Sequence, residues 1–301
     1  MYIVRALIVI LLNSGLAHAQ QSPLAHTGQP PLAVSVSGHG PAVVLIPGLY
    51  CSGEVWKETV DHLRDHYTCY SVTLPGFAGQ APLPPSDTLL DRFASAIAAY
   101  IRQSGLSHPI LIGHSLGGWL ALRVETANPG LCGGIVVVSS APFLPALSMG
   151  NGISLDSARA IGVQIRHYMS IQTPEQAKVS SRASISFMIR DSLRIAQVTG
   201  MAARSDVPTQ AEVMYELFST DLRPVMSKVG CPILVLGDWI AYKGYGATRD
   251  NTLDKYRSQF ALAPRVTIDL NDSSKHFIMY DEPGWFYGAV DKFLPVAVAA
   301  D

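Results

Sequence analysis

One short stretch limits the folds open to this chain more than any other. It is the pentapeptide Gly113-His114-Ser115-Leu116-Gly117, which follows an apolar run at residues 110–112 and precedes a helix-like run at residues 118–124. Glycines near Ser115 permit the strained backbone of a sharp strand-to-helix turn, and the helix that follows directs its amide dipoles at the serine oxygen. The pattern predicts a nucleophilic serine held at this bend. The alternative is a glycine-rich turn whose serine only caps the helix.

Apolar runs with strand character alternate with segments of helical spacing along most of the chain. The predicted strands lie at residues 42–46, 69–74, 110–112, 135–138, 232–237 and 266–270. The predicted helices lie at residues 54–66, 89–102, 118–124, 252–262 and 285–293. An alternating run at residues 32–37 predicts an edge hairpin with the first of these strands. Together the segments predict an α/β fold, with a mostly parallel sheet covered by helices on both faces.

The alternation stops between residues 141 and 230, where helical patterns rich in methionine and aromatic residues occur without a convincing strand. These side chains are expected to form the core of an insertion, with some of them facing the serine. An insertion at the carboxyl end of a strand projects over the crevice in which open α/β sheets bind ligands. We therefore predict a helical cap at residues 141–230, which divides the core into a first part, residues 32–140, and a second part, residues 231–301.

Residues 1–19 have the pattern of a secretory signal peptide. Arg5 supplies a positive charge, residues 6–12 are apolar, and Ala17-His18-Ala19 fits a cleavage site with small residues. The apolar run is too short to span a bilayer, so we predict a secreted or periplasmic protein without a stable membrane span. An uncleaved N-terminal anchor is the alternative. The proline- and glutamine-rich residues 20–31 predict a flexible lead-in.

Export would make the four cysteines possible disulfide partners. Cys132 and Cys231 each stand just before a predicted strand, so in neighbouring parallel strands their sulfurs would lie at the same end of the sheet. We therefore expect a bridge between Cys132 and Cys231. Cys51 follows one strand and Cys69 begins the next, which places them toward opposite ends of the sheet, so these two are expected not to pair.

Charge and residue spacing argue against several classes of function. The formal net charge is −1, and no basic stretch suggests a surface for nucleic acid. Histidines and cysteines are not spaced as metal ligands, and the sequence has no phosphate-binding loop or dinucleotide fingerprint. We therefore predict no metal, no cofactor and a small-molecule substrate; the sequence does not specify an oligomeric state.

Three further landmarks accompany the serine pentapeptide. They are the turn Ile46-Pro47-Gly48-Leu49, the strand end Leu74-Pro75-Gly76-Phe77, and Lys275-His276-Phe277 followed by Glu282-Pro283. With these four features the chain resembles the α/β-hydrolase superfamily, in particular its capped, esterase-like members, from about residue 32 to its end apart from the cap. The resemblance implies an α/β-hydrolase fold and the hydrolysis of an acyl bond by a serine, a histidine and an acid.

The chemistry of the serine requires a base. A serine hydroxyl is a poor nucleophile until a neighbouring histidine takes its proton. Downstream of Ser115 lie only His167, inside the predicted cap, and His276, just after the last predicted strand. The loop after that strand returns over the carboxyl edge of the sheet, so we predict His276 as the base and His167 as an ordinary helix residue. His114 is expected to point away from the serine, into the fold.

The acid of the superfamily stands between the nucleophile and the histidine, usually at the end of the strand predicted at residues 232–237, which makes Asp238 the candidate. The chain departs from the common pattern, in which the acid stands a few residues beyond the glycine, because residues 239–241 include no carboxylate. The other family position, after the strand that follows the serine, holds two serines at residues 139–140. Asp250 and the carboxylates of the cap are the alternatives, and Asp238 could instead be a turn or helix cap.

Two backbone amides are predicted to stabilise the developing oxyanion, those of Leu116 and of Leu49 in the first glycine turn. The sequence thus predicts a serine hydrolase that cleaves carboxylic esters through an acyl-enzyme. Hydrolysis of lactones, thioesters or amides and cofactor-free peroxidation are near alternatives. The aspartate-nucleophile chemistry of dehalogenases and epoxide hydrolases is disfavoured because Ser115 holds that position. A non-catalytic binder of a small apolar ligand is the alternative from another class.

Overall fold

Seven strands form one sheet in the computed structural model, which describes residues 32–298. The signal peptide and lead-in expected at residues 1–31 lie outside the described residues, as do residues 299–301. The strands are β1 (Ala33–Ser37), β2 (Ala42–Ile46), β3 (Thr68–Thr73), β4 (Ile110–His114), β5 (Gly134–Val138), β6 (Ile233–Gly237) and β7 (Val266–Leu270). Their order across the sheet is β1-β3-β2-β4-β5-β6-β7, with β1 antiparallel to β3 and every other neighbouring pair parallel.

Eleven α-helices of the described residues accompany this sheet, and six of them cover its two faces. The eleven helices are α1 (Lys57–Leu63), α2 (Leu89–Gln103), α3 (Leu116–Ala127), α4 (Leu144–Met149), α5 (Leu155–Ser170), α6 (Pro174–Met188), α7 (Ser192–Ala202), α8 (Val207–Ser219), α9 (Arg249–Gln259), α10 (Ile278–Asp281) and α11 (Pro283–Val298). Helices α2, α3 and α9 pack on one face, and α1, α10 and α11 on the other. None of the helices within residues 32–298 is long and apolar enough to cross a bilayer. The predicted α/β fold is confirmed.

The apolar runs of the central strands supply two hydrophobic layers at once. Along β2, Val43 and Leu45 contribute to the layer under α11, whereas Val44 and Ile46 contribute to the layer under α2 and α3. Successive side chains of a strand point to opposite faces, so a strand covered on both sides needs apolar residues at every position. This requirement explains why the sequence shows continuous apolar runs instead of an alternating pattern.

The edge strand β1 does not form the hairpin expected from the sequence. It pairs antiparallel with β3, and Ala33 stands opposite Thr73. The turn after β1 packs tightly on the segment that leaves α1: a Cβ atom on Gly38 would lie 2.3 Å from the carbonyl oxygen of Tyr67. This contact carries the chain across the start of β3 before β2 begins. The hairpin prediction was wrong because a tertiary contact, and not the local turn, selects the partner of β1.

The described residues between β5 and β6 contain five α-helices, α4 to α8, a 3-10 helix (Arg223–Lys228) and no strand. Helices α5 and α8 approach closely where Gly162 meets Phe218, since a Cβ atom on that glycine would lie 2.9 Å from the Cβ of the phenylalanine. The buried carboxylate of Glu216 on α8 accepts hydrogen bonds from the amides of Leu89 (2.7 Å) and Leu90 (2.8 Å) at the start of α2. Those amides have no partner inside their own helix, so the insertion caps a core helix and is fastened to it. We refer to this insertion as the cap.

Candidate active site

Ser115 occupies a strained bend between a strand and a helix. β4 ends at His114 and α3 begins at Leu116, and Ser115 between them has φ 52° and ψ −115°. A positive φ is uncommon for a residue other than glycine and is a mark of local strain. The amide of Ser115 donates to the carbonyl of Val138 at the end of β5 (2.9 Å), which fixes the bend against the sheet. The strand, turn and helix expected around this serine are present.

Close backbone contacts explain the two glycines of the pentapeptide. A Cβ atom on Gly113 would lie 2.1 Å from the carbonyl oxygen of Gly117. A Cβ atom on Gly117 would lie 2.1 Å from the carbonyl oxygen of Ile46, at the end of β2. No side chain fits at either position without moving the backbone, so glycine here allows α3 to start directly against the ends of the strands.

A cavity of about 380 Å³ lies between the carboxyl ends of the strands and the cap. Ser115, Asp238 and His276, each from a different segment of the chain, line it together. The cap supplies much of its apolar wall, through Leu144, Leu147, Ile185, Met188, Met214 and Phe218. Some of the cap methionines and aromatic residues therefore do face the cavity that holds the serine.

His276 lies in the loop between β7 and α10, and its side chain is 17% exposed. Cap contacts hold this loop on both sides of the histidine. The amide of Phe277 donates to the carbonyl of Met188 (3.3 Å), and Nζ of Lys275 donates to the carbonyls of Ser186 (3.2 Å) and Ile189 (3.3 Å). The end of α6 and the loop of His276 thus form one hydrogen-bonded unit.

The carboxylate of Asp238 approaches the histidine from the end of β6. Its Oδ1 lies 3.8 Å from Nδ1 of His276, beyond hydrogen-bond distance, and its Oδ2 is buried without a hydrogen-bond partner in the described part of the chain. The backbone amide of Asp238 donates a hydrogen bond to the hydroxyl oxygen of Tyr256. Burial, followed by the charge of Asp238, raises the pKa of Tyr242 to about 12. The phenols beside this carboxylate are therefore neutral at physiological pH.

The amides predicted for the oxyanion stand at the same end of the sheet. Leu49 lies in a turn closed by the amide of Cys51 donating to the carbonyl of Gly48 (3.1 Å), with Tyr50 at φ 72°. Leu116 is the first residue of α3, where helix amides have no partner in their own helix. Within residues 32–298, neither amide donates to a backbone or side-chain acceptor. Both leucines line the cavity, so their amides are available to a ligand there.

The other candidates for the base and the acid lie away from the cavity or carry no charge. His167 is exposed on α5, and Asp250 is exposed in the first turn of α9. Ser139 lines the cavity but brings only a buried hydroxyl, and Asp238 is the only carboxylate among the described residues of the lining. No group of three histidine, cysteine, aspartate or glutamate side chains in residues 32–298 is arranged to hold a metal ion.

His114 is a part of the site to which the sequence assigned no role. It is buried as expected, yet its ring lies against the loop of His276, with centroid distances of 4.8 Å to His276 and 4.4 Å to Phe277. Burial, and then the positive charge of a protonated His276, hold the pKa of His114 well below its usual value. A histidine at the last position of a buried strand, directly before the serine predicted as the nucleophile, was the available signal.

The bridge expected between Cys132 and Cys231 is not formed: all four cysteines are buried, and none of them is in a disulfide. The Cys132 thiol donates a hydrogen bond to the carboxylate of Glu125, and burial raises its pKa well above the usual value. The charge of Glu125 acts in the same direction, as would a thiolate at Cys231, so the two thiols are close, as the parallel strands predicted. The sulfur of Cys132 is directed to the carboxylate instead.

The sequence matches a known family over most of its length. A family model described as "Alpha/beta hydrolase family" matches residues 43–289. The chain belongs to this family. As an α/β-hydrolase it has a mostly parallel sheet of seven strands with a helical insertion after β5, in agreement with the resemblance seen in its sequence.

Individual relatives of this α/β-hydrolase are distant. A pimeloyl-[acyl-carrier protein] methyl ester esterase from Vibrio campbellii is 24% identical over 199 residues, which cover 66% of this chain and 76% of the relative. An esterase from Exiguobacterium antarcticum has a similar structure (TM-score 0.72, 16% identity, covering 88% of this chain and 96% of that one). So does the enol-lactonase from Burkholderia xenovorans LB400 (TM-score 0.72, 15% identity, 88% and 97% covered).

Proposed function

We propose that this α/β-hydrolase is a serine hydrolase that cleaves carboxylic esters through an acyl-enzyme. The observation that carries the proposal is the strained bend that presents Ser115 in the same cavity as His276. The names of the relatives, which include an acyl methyl ester esterase and an enol-lactonase, support an ester or lactone as the substrate.

In the proposed mechanism His276 takes the proton of Ser115 while the serine oxygen attacks the ester carbonyl. The amides of Leu49 and Leu116 donate to the oxygen that becomes negative. The protonated His276 then gives its proton to the leaving alcohol, and the acyl group stays on Ser115. Water, deprotonated by His276, attacks the acyl-enzyme, and collapse of the second tetrahedral intermediate releases the acid and the free serine.

Asp238 is the proposed acid of this triad. Its role is to hold His276 in the tautomer that accepts the serine proton at Nε2 and to stabilise the imidazolium that forms. The distance of 3.8 Å is longer than a hydrogen bond, and hydrogen bonds of catalytic groups commonly shorten when substrate binds. The unpartnered Oδ2 of Asp238 supports the assignment. A buried carboxylate oxygen without a hydrogen-bond partner destabilises the fold, so a carboxylate kept in this position is expected to have a function.

The cavity favours an apolar substrate of modest size. Its wall is built mainly of aliphatic and aromatic side chains from the cap and the strand ends, and its volume of about 380 Å³ is at the small end of ligand pockets. We therefore expect short to medium aliphatic esters to be turned over faster than long-chain lipids. A series of p-nitrophenyl esters from acetate to palmitate measures this preference.

Covalent labelling tests the proposed function. A fluorophosphonate reacts only with a serine that a neighbouring base activates, so wild-type protein should gain the mass of the probe on Ser115. Ser115→Ala should lose both the labelling and ester hydrolysis while keeping its circular dichroism spectrum and melting temperature. Ser148→Ala removes a different hydroxyl from the cavity wall and should still be labelled. Folded wild-type protein that is not labelled would favour the binder of a small apolar ligand.

We also propose that the chain is exported, on the pattern of residues 1–19. Expression of the full chain in a Gram-negative host should yield a periplasmic or secreted form whose N-terminal residue is Gln20. Intact chain recovered from the membrane fraction would support the uncleaved anchor instead.

A further inference from the structure

His114 is a buried histidine that the mechanism above does not use. It is the last residue of β4, it precedes Ser115 directly, and it is 1% exposed. Its Nε2 lies 3.1 Å from the backbone carbonyl oxygen of His276. Because a carbonyl oxygen only accepts hydrogen bonds, Nε2 carries the proton and donates it. The hydrogen bond therefore joins the strand that bears the serine to the backbone of the proposed base.

The other side of the ring faces the turn that bears Leu49. A Cβ atom on Gly48 would lie 2.7 Å from Nδ1 of His114 and 3.3 Å from the Cβ of Ser115. The ring also packs on Phe277, at a centroid distance of 4.4 Å. One imidazole therefore contacts the turn of the proposed oxyanion hole, the loop of the base and, through the chain, the nucleophile.

Packing alone does not explain a histidine at this position. With Nε2 protonated, Nδ1 is an acceptor, and this buried atom has no hydrogen-bond partner in the described residues. Leaving a buried polar atom unpaired is destabilising, so an apolar ring of the same shape would fill the space with less loss of stability. Among residues 32–298, the hydrogen bond to the carbonyl of His276 is the one polar interaction that histidine adds over phenylalanine.

We propose that His114 is a positioning residue, whose Nε2–H holds the backbone of His276 so that the imidazole of His276 stays aligned in the cavity it shares with Ser115. The proposal rests on the proposed serine mechanism. His114 borders the cavity but is only 1% exposed and acts through the backbone of His276, so its loss should lower kcat far more than it changes KM. Misplacing a catalytic group by about 1 Å lowers the rate by as much as about 100-fold, which sets the scale of the effect.

The test replaces the ring with and without its donor. His114→Phe keeps an aromatic ring but cannot donate, so its kcat for p-nitrophenyl butyrate should fall by about 10-fold to 100-fold. His114→Gln places an amide N–H near the position of Nε2 and should recover most of kcat. His114→Asn, whose amide is too short to reach the carbonyl of His276, should not. If the phenylalanine variant fails to fold, the comparison of the glutamine and asparagine variants decides the question.

Two further readouts separate this role from a structural one. The rate of fluorophosphonate labelling should fall in parallel with kcat, while the melting temperature of His114→Phe should be equal to or above that of wild type. Equal kcat in wild type, His114→Phe and His114→Asn would overturn the positioning role. Ester hydrolysis that Ser115→Ala retains at the wild-type rate would instead overturn the proposed function, so the two failures are distinguishable.

Discussion

Oδ1 of Asp238 lies 3.8 Å from Nδ1 of His276, and both side chains are largely buried in one cavity with Ser115. This carboxylate follows the glycine of β6 directly, whereas the superfamily commonly places its acid a few residues later. The sheet nevertheless brings it beside the histidine, because β6 and β7 are parallel neighbours and Gly237 pairs in register with Leu270. This geometry makes Asp238 the leading candidate for the acid that interacts with His276.

Asp238→Asn should slow ester turnover by about 10²-fold to 10⁴-fold, because an amide cannot stabilise the imidazolium form of His276. The melting temperature should not decrease, since the substitution removes a buried charge that has an unpartnered oxygen. Steady-state kinetics and thermal unfolding of the purified variant measure the two effects. If Asp250→Asn lost turnover and Asp238→Asn did not, the acid of the triad would be Asp250, in the exposed first turn of α9.

Gly117→Ala should destabilise the protein by about 3 kcal/mol or more. The new methyl group would collide with backbone atoms at the end of β2, which cannot move aside as a flexible side chain could. Gly288→Ala is the matched control. That glycine lies inside α11, and no atom from beyond its own helix stands within 4 Å of the place a methyl group would take. Alanine there should stabilise by about 0.5–1 kcal/mol. Urea unfolding midpoints compare the two, and an equal effect of both would contradict the close contact.

Glu216 should make the stability of the wild type depend on pH. Burial raises the pKa of this carboxyl from 4.5 to about 7, although the amides of Leu89 and Leu90 act in the opposite direction. Between these two values the unfolded chain has lost the proton that the folded chain retains. The free energy of unfolding therefore decreases as the pH rises from about 5 to about 7, by about 2 kcal/mol for this group.

The comparison with Glu216→Gln isolates that contribution, because glutamine has a similar shape and does not titrate. Between pH 5 and pH 7.5 the melting temperature of the wild type should fall by about 5 °C more than that of the variant. Parallel curves of melting temperature against pH for the two proteins would contradict the raised pKa of Glu216, because they would show that this carboxyl ionises alike in the folded and unfolded chains.

Arg190→Ala should weaken the attachment of the cap to the loop of His276. The guanidinium donates to the carbonyls of Ser273 (3.0 Å) and Asp281 (2.6 Å) and to the carboxylate of Glu282 (2.6 Å). Because Arg190 is partly exposed, we expect a loss of only about 1 kcal/mol in stability. The decrease in kcat should be larger than this loss suggests, about 10-fold, because the loop positions the base.

Arg166→Ala provides the control for that prediction. Arg166 pairs with Glu212 (3.2 Å) and lies over the ring of Tyr215 at 3.9 Å, so its contacts connect α5 and α8 within the cap. Its removal should lower the melting temperature by a similar amount and leave kcat unchanged. If both variants lowered kcat equally, the general stability of the cap, and not its contact with the loop, would govern the rate.

The parts of this structure that local sequence determines were predictable, and the parts that distant contacts determine were not. The bend at Ser115 was visible because glycine, strand and helix patterns meet within a few residues. The partner of β1 depends on how Gly38 packs on a segment that comes later in the chain, and no local pattern encodes that contact. The position of Cys132 near Cys231 followed from parallel strands, but the direction of its thiol depends on Glu125.

The site shows the same division. Ser115 and His276 follow from chain order and chemistry, and the structure places them in one cavity. The role proposed for His114 was missed because alternation along a strand says only that the ring points inward. It does not say that the inward neighbour is the backbone of His276.

The hydrogen bonds between the end of α6 and the loop on either side of His276 have a consequence for how molecules reach the cavity. A rigid lid that swung on a hinge would pull Lys275 and Phe277 along, and the imidazole between them would leave its place. In the proposed mechanism, such an opening would remove the base from the serine. We therefore expect the cap to stay in place during turnover, so that reactants reach the cavity around it.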